Sequence, residues 1–277
     1  PEPPTDLLGL KWKIFTLTDP SDGLEYEGIL LLPPGDGPRR VLLVPHGGPH
    51  SALPTSFIPS YAFLALHLGI AVVYCNYRGS VGFGQDSIDS LPGRIGTNDV
   101  KDCMSILNKV LREHADVLDA SRVAVAGGSH GGFLTGHLVG QYPDTFKAAA
   151  MRNPVTNIPP MVTTTDIVDW CYVEALGLDG YDFDSLTPPT VAQLQSMFEC
   201  SPIAHVKRVR TPLLMCLGLM DLRVPKSQGV EYYHMLKAQG CVTRMVHFPQ
   251  DTHAIDRPMS EASHWVIIAD WINEHMP

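Results

Sequence analysis

Val123-Ala124-Val125-Ala126-Gly127-Gly128-Ser129-His130-Gly131-Gly132 decides how this chain is read. A short apolar, β-like run leads into a serine enclosed by glycines, and the helical pattern Phe133, Leu134, His137, Leu138 follows. In a strand-turn-helix of this kind the G-x-S-x-G serine sits on a sharp, strained turn. Glycine neighbours, lacking side chains, let the crossing backbone pass close. The Ser129 hydroxyl is therefore expected to stand exposed above a sheet. The pentapeptide alone also occurs in Gly- and Ser-rich loops, so the flanking strand and helix patterns give it its meaning.

From residue 41 onward, short apolar runs alternate with helix-length segments: Val41–Val44, Ile70–Tyr74, Val123–Ala126, Ala148–Met151, Leu213–Leu217 and Val242–Phe248. Such alternation predicts βαβ units and a mostly parallel sheet covered on both faces. The clearest helix runs from Asn98 to His114, with Val100, Cys103, Met104, Leu107, Val110 and Leu111 on one face. Its first turn carries Asp99 and Asp102, and Lys109 and Arg112 stand near its end, which suits the helix macrodipole. Ahead of these units lies a Pro-rich lead-in, residues 1–40, containing Pro1, Pro3, Pro4, Pro33, Pro34 and Pro38. Within it, Trp12–Leu17 and Tyr26–Leu32 flank the turn Asp19-Pro20-Ser21-Asp22-Gly23 and read as an antiparallel hairpin at a sheet edge. Hairpin and six runs together predict an eight-stranded, mostly parallel α/β sheet with helices on both faces. Between Pro154 and Pro202 the period blurs, and an irregular or short-helical excursion that forms a lid or pocket wall is expected. No internal repeat or low-complexity tract interrupts the pattern.

With 277 residues, 44% of them apolar and 18% charged, the chain has ample material for a buried core. A formal charge of −9 without any Lys/Arg cluster argues against a nucleic-acid partner. The six cysteines show no CxxC spacing, and Cys75 and Cys216 fall in strand-like runs, so free thiols in a reducing compartment are expected. No secretory h-region or apolar span of membrane length is present, which makes the cytoplasm the expected location and a membrane partner unexpected.

A serine hydroxyl is a weak nucleophile near neutral pH and needs a base whose tautomer is fixed by a third group. Asp221 follows the apolar run ending at Gly218, and His253 follows the run ending at Phe248. The order Ser129, Asp221, His253 is that of α/β-hydrolase triads, and the carboxyl ends of parallel strands face one crevice. Asp251 is the competing acid, but from two positions away on a short loop it is expected to point elsewhere. A developing oxyanion needs two N–H donors. The backbone of His130, after the nucleophile, supplies one, and Gly48 in Pro45-His46-Gly47-Gly48-Pro49 supplies the other. The imidazoles of His46, His50 and His130 lack acidic or cysteine companions at metal spacing, so neither metal nor cofactor is expected. Arg223 either anchors a substrate carbonyl or carboxylate or pairs with an acid elsewhere. Arg78, in the glycine-rich loop after Tyr74, reads as a structural salt bridge. Phe133, Val155, Ile158 and Trp170 are apolar candidates for the pocket wall or for plain core.

Seven segments carry a resemblance: HGGPHS at 46–51, NYRGSVGFGQDS at 76–87, GGSHGG at 127–132, QYPDTFKAA at 141–149, RNPVTNI at 152–158, TDIVDWC at 165–171 and DLRVP at 221–225. Together they are similar to the catalytic domain of acylaminoacyl peptidases (acylamino-acid-releasing enzymes) of the prolyl oligopeptidase family. The similarity runs from about residue 25 to the C-terminus. The resemblance implies an α/β-hydrolase catalytic domain over residues 41–277. It also implies a serine exopeptidase that releases an N-acylated, commonly N-acetylated, residue from short peptides, with a carboxylesterase or lipase-type hydrolase as the alternative. Members of the family carry a β-propeller that screens out large substrates, and no propeller repeats occur here. A propeller would then be a separate chain, or the catalytic domain stands alone. A homo-oligomer is a further implication.

Overall fold

The computed structural model describes residues 9–184 and 187–277, so Pro1, Pro3 and Pro4 of the lead-in lie outside the described residues. Eight strands form one sheet: β1 (Lys11–Thr18), β2 (Glu25–Leu32), β3 (Arg39–Pro45), β4 (Ile70–Asn76), β5 (Leu118–Gly128), β6 (Ala148–Arg152), β7 (Leu213–Gly218) and β8 (Thr243–Phe248). Their spatial order is β1-β2-β4-β3-β5-β6-β7-β8. The β1–β2 hairpin joins β4 antiparallel, and every pairing from β4 to β8 is parallel.

Every residue of β4 and β7 is buried, as strands covered on both faces must be. Alternate side chains feed two cores. Val41, Leu43, Val73, Val125, Met151 and Met215 meet α3 (Asn98–Glu113), α4 (His130–Gln141) and α8 (Ser227–Ala238) on one face. Leu42, Val44, Val72, Ala124, Ala150 and Leu214 meet α1 (Pro59–Leu68) and α9 (Pro258–His275) on the other. The short helix α2 (Gln85–Asp89) lies in the loop after β4. Between β6 and β7 the expected excursion is built from α5 (Ile158–Met161), α6 (Val168–Leu176), α7 (Val191–Glu199) and two 3-10 turns. Among the described residues, no helix is long and apolar enough to cross a membrane, and no group of three His, Cys, Asp or Glu stands close enough to hold a metal.

The acids Asp99 and Asp102 near the start of α3, whose position suits the macrodipole, are both fully buried. Asp102 receives the forked edge of the Arg78 guanidinium, Nε donating to Oδ2 at 2.8 Å and Nη2 to Oδ1 at 2.7 Å. Arg78, only 1% exposed, also meets Asp22 at 2.6 Å and Asp19 at 3.0 Å, both from the β1–β2 turn. Burial pushes the Asp102 carboxyl up despite Arg78. Asp19, although burial opposes it, is held well below the carboxylate range by hydrogen bonds from Lys101 and Ser21 and by the charge of Arg78. One cation thus ties the hairpin, the loop after β4 and α3 together. Replacing it by an apolar chain of similar reach leaves buried carboxylates without a counter-charge. Arg78→Met is expected to cost about 3–5 kcal/mol of unfolding free energy, read from urea denaturation. A loss under about 1 kcal/mol, the worth of a surface pair, would contradict a buried ionic anchor.

Candidate active site

Strand β5 runs into Ser129, which adopts φ 58° and ψ −124° before α4 begins at His130. A serine at positive φ is strained, typically by about 1–3 kcal/mol, and persists only where its surroundings enforce it. They do so here. The Ser129 N–H donates to the Arg152 carbonyl at 2.9 Å, and the Ser129 carbonyl accepts from Phe133 N–H at 3.0 Å. A Cβ on Gly127 would collide with the Gly131 carbonyl, so only glycine lets the strand and the helix cross this closely.

Asp221 follows β7 and His253 follows β8. Their side chains meet, His253 Nδ1 lying 2.7 Å from Asp221 Oδ2. The other carboxylate oxygen accepts from the backbone N–H groups of Arg223 (2.9 Å) and Val224 (3.0 Å), which aims the acid. Asp251 turns away and accepts from the Ser260 hydroxyl at 2.6 Å, fastening its loop to α9. Ser129 and His253 line one cavity of about 690 Å³, within the range of small-molecule sites.

A residue that sequence reasoning passed over organises this edge. Asn153, at φ 41°, donates through Nδ2 to the His253 carbonyl (2.9 Å) and the Thr252 carbonyl (3.3 Å). Its Oδ1 accepts from Gly218 N–H at 2.8 Å. The consecutive pair Arg152 and Asn153 therefore links the Ser129 backbone to the His253 loop. The available signal was an asparagine closing an apolar strand before Pro154, since asparagine tolerates left-handed backbone.

The loop after β3 is clamped from two sides. His46 is buried and stacked on Tyr77, with ring centroids 4.4 Å apart. Burial lowers its pKa to about 4, so it is neutral and carries one N–H. The Gly47 carbonyl, 2.7 Å from Nδ1, can only accept, which assigns the proton to Nδ1 and leaves Nε2 to accept from the Ser80 hydroxyl, also at 2.7 Å. C=O and N–H of a trans peptide point in opposite directions, so holding the Gly47 carbonyl turns the Gly48 N–H away from His46. Trp170 Nε1 donates to the Gly48 carbonyl at 2.9 Å. The N–H groups of Gly48 and His130 have no partner among the described residues, the second as an orphan donor of a helix first turn. The His130 imidazole points into the core, 2.9 Å from buried Asp99 and stacked on Phe133, so only its backbone belongs to the site.

Of the expected pocket residues, Val155, Trp170 and Arg223 line the cavity. Phe133 and Ile158 do not: both are fully buried core, Phe133 beneath the His130 ring and Ile158 at the start of α5. Arg223 lines the cavity and meets Asp166 at 3.3 Å in a half-exposed pair.

Asn153→Ala frees the His253 loop and is expected to slow modification of Ser129 by a fluorophosphonate by about ten- to a hundredfold with little change in far-UV dichroism. Unchanged labelling would remove Asn153 from the positioning of the site. Burial also lowers His264 to about 4 and His137 to about 3. With His46 these stay neutral in the folded chain, while the unfolded chain takes up protons below about pH 6.5. Their stabilisation is complete above that pH and is lost as pH falls toward 4. Between pH 7 and pH 5 unfolding free energy is expected to drop by roughly 1–2 kcal/mol per histidine, measured as a shift in urea midpoint. A flat profile over that range contradicts the burial.

Residues 56–277 match the prolyl oligopeptidase family. Acylamino-acid-releasing enzyme 1 of Oryza sativa subsp. japonica is 45% identical over 253 residues, covering 91% of this chain and 32% of that protein. The acylamino-acid-releasing enzyme of Mus musculus is 43% identical over 277 residues, covering 96% of this chain and 37% of that protein. The chain spans about a third of the length of these curated relatives. Among solved structures, Pyrococcus horikoshii acylaminoacyl peptidase superposes with a TM-score of 0.85 at 24% identity, covering 96% of this chain and 42% of that one, a likeness of fold. With an α/β-hydrolase sheet, a serine elbow and this match over most of its length, the chain belongs to the prolyl oligopeptidase family.

Proposed function

We propose that this domain is a serine hydrolase of the acylaminoacyl-peptidase kind, which cleaves the bond after an N-acylated, typically N-acetylated, residue of a short peptide. The observation that carries this reading is the His253–Asp221 pair, 2.7 Å apart, sharing a cavity with a strained Ser129 and two unpartnered N–H groups. The names of the relatives supply the substrate class. In the proposed reaction Ser129 Oγ attacks the carbonyl carbon of the acylated residue while His253 Nε2 takes the hydroxyl proton. Asp221 holds the proton of the ring on Nδ1 and stabilises the imidazolium. The N–H groups of Gly48 and His130 receive the oxyanion. Collapse of the tetrahedral adduct breaks the C–N bond, and His253 passes its proton to the departing amine. Water, deprotonated by the same imidazole, then releases the N-acyl amino acid and restores Ser129.

The rest of the proposal is coarser. Residues 41–277 are taken as the catalytic unit, with the β1–β2 hairpin as its edge, and size selection is assigned to a propeller outside this chain. Homo-oligomer formation is part of the same proposal. The six cysteines are free thiols, which supports a reducing compartment such as the cytoplasm.

Release of the chromophore from an N-acetyl-alanine anilide is the test. Ser129→Ala is expected to reduce it at least about a thousandfold, and retention of a tenth of the activity overturns the nucleophile. An enzyme that hydrolyses activated esters but leaves the anilide intact would instead be a carboxylesterase.

A further inference from the structure

The loop after β3 is held at one end by His46, through Ser80, Tyr77 and the Gly47 carbonyl. Between His46 and His50 run Gly47, Gly48 and Pro49, and the two glycines have no side chains to brace their own peptides. At the far end, His50 Nδ1 lies 2.8 Å from the Gly79 carbonyl, and Nε2 lies 3.2 Å from Glu174 Oε1. His50 therefore spans three segments: its own loop, the loop after β4, and α6. The Ser51 carbonyl, which accepts from Val81 N–H at 3.0 Å, closes the same seam.

Both nitrogens of the His50 ring face acceptors. A carbonyl cannot donate, so Nδ1 carries a proton, and a neutral ring would then turn the lone pair of Nε2 toward a carboxylate. The contact is attractive only with a second proton, which the imidazole takes as the stronger base of the two. Glu174 requires that cation. Its side chain is 5% exposed, His50 is its only cation within ion-pair distance among the described residues, and Oε2 has no hydrogen-bond partner. A carboxylate so enclosed is costly without a counter-charge. The surrounding groups offer no substitute. Asp89, on α2, adds negative charge that favours the imidazolium. His46 is neutral, Tyr77 keeps its proton because burial pushes it well up, and Arg78 is committed to Asp19, Asp22 and Asp102. Glu174 raises the His50 pKa above the ordinary 6.5 against the opposing effect of burial, and the Gly79 carbonyl and Asp89 add to the rise. The proton is thus held below 6.5 and is lost as pH rises through the higher folded-state value.

Glu174 stands one turn after Trp170 on α6, so the two side chains share a helix face. They reach the loop after β3 at His50 and at the Gly48 carbonyl. The Glu174 carbonyl accepts from Gly93 N–H at 2.9 Å, which fastens this turn of α6 to the chain ahead of α3. We propose that His50 and Glu174 are positioning residues for the Gly48 N–H, and that they hold it in place for the oxyanion only while a proton bridges them. Once that proton leaves, the Nε2 lone pair and the carboxylate repel, and Trp170 remains as the side-chain tie from α6 to the glycines. A donor without a fixed direction must be reoriented in the step that develops negative charge, which slows that step. The proposal rests on the serine-hydrolase part of the functional reading and is independent of the substrate class.

The rate at which a fluorophosphonate labels Ser129, followed from pH 6 to pH 10, tests this without a peptide, since the phosphoryl oxygen uses the same two donors. In the unaltered chain the rate is expected to fall about tenfold on the alkaline side. The midpoint of that fall is expected above 6.5. Glu174→Ala removes the bridge and is expected to give the lowered rate at every pH. Glu174→Gln places an amide that can donate to a neutral Nε2, and is expected to restore the rate and keep it level through the alkaline range. A Glu174 that only supports the fold would lower the rate in both variants and leave the midpoint unmoved, which overturns the proposal. An unaltered chain whose rate shows no alkaline fall overturns it without recourse to any variant. Absence of labelling at every pH overturns the serine-hydrolase reading, and this proposal with it, whereas labelling with an unchanged alkaline fall in Glu174→Gln overturns the proposal alone.

Discussion

The parallel hydrogen-bonding register across β5, β6, β7 and β8 carries everything that the cavity contains. Gly128 stands beside Arg152, Arg152 beside Cys216, and Cys216 beside Val246, so the strand ends are level and the loops that follow them converge. A slip of one residue in any pair would send alternate side chains to the opposite face and exchange the two cores. Because Val123–Ala126 of β5 and nearly all of β6 and β7 are buried, a slip among these strands would also bury the wrong volumes on each side. Packing on two faces therefore enforces the alignment that brings Ser129, Asn153, Asp221 and His253 to one edge.

Much of this is legible in the sequence. The six apolar runs and the hairpin became the eight strands, with most ends shifted by one or two residues, while β5 begins at Leu118, five residues before the expected run at Val123. The serine elbow was legible because its requirements are local: a strand, glycines that permit a close crossing, and a helix. The Asp221–His253 pairing followed from strand order. What escaped was set by partners distant in sequence. Asn153 meets residues 99 and 100 positions away, and nothing in Arg-Asn-Pro-Val announces that neighbourhood. Asp99 and Asp102 occupy positions that suit a helix dipole, and only the tertiary arrangement reveals buried partners in His130 and Arg78. Phe133 and Ile158 obey the same apolar periodicity as wall residues, so pattern alone could not divide core from cavity.

The excursion between β6 and β7 is more than a cover. Trp170, on α6, reaches back to the Gly48 carbonyl, so the conformation of the loop after β3 depends on a segment more than a hundred residues later. From the other side the neutral His46 ring, oriented by Ser80 and stacked on Tyr77, holds the neighbouring peptide. Two peptide units with restricted freedom keep their dipoles oriented before a ligand arrives.

The Arg78 cluster has a consequence for how the chain comes apart. Asp19 and Asp22 belong to the hairpin, Arg78 to the loop after β4, and Asp102 to α3, so the hairpin cannot peel from the sheet edge without uncovering a fully enclosed charge. An edge hairpin held only by its ladder would fray in local openings far cheaper than global unfolding. Here local detachment carries an electrostatic penalty that raises its free energy toward that of the whole domain. The seam between hairpin and body is thereby made cooperative, and the peripheral strands share the lifetime of the core.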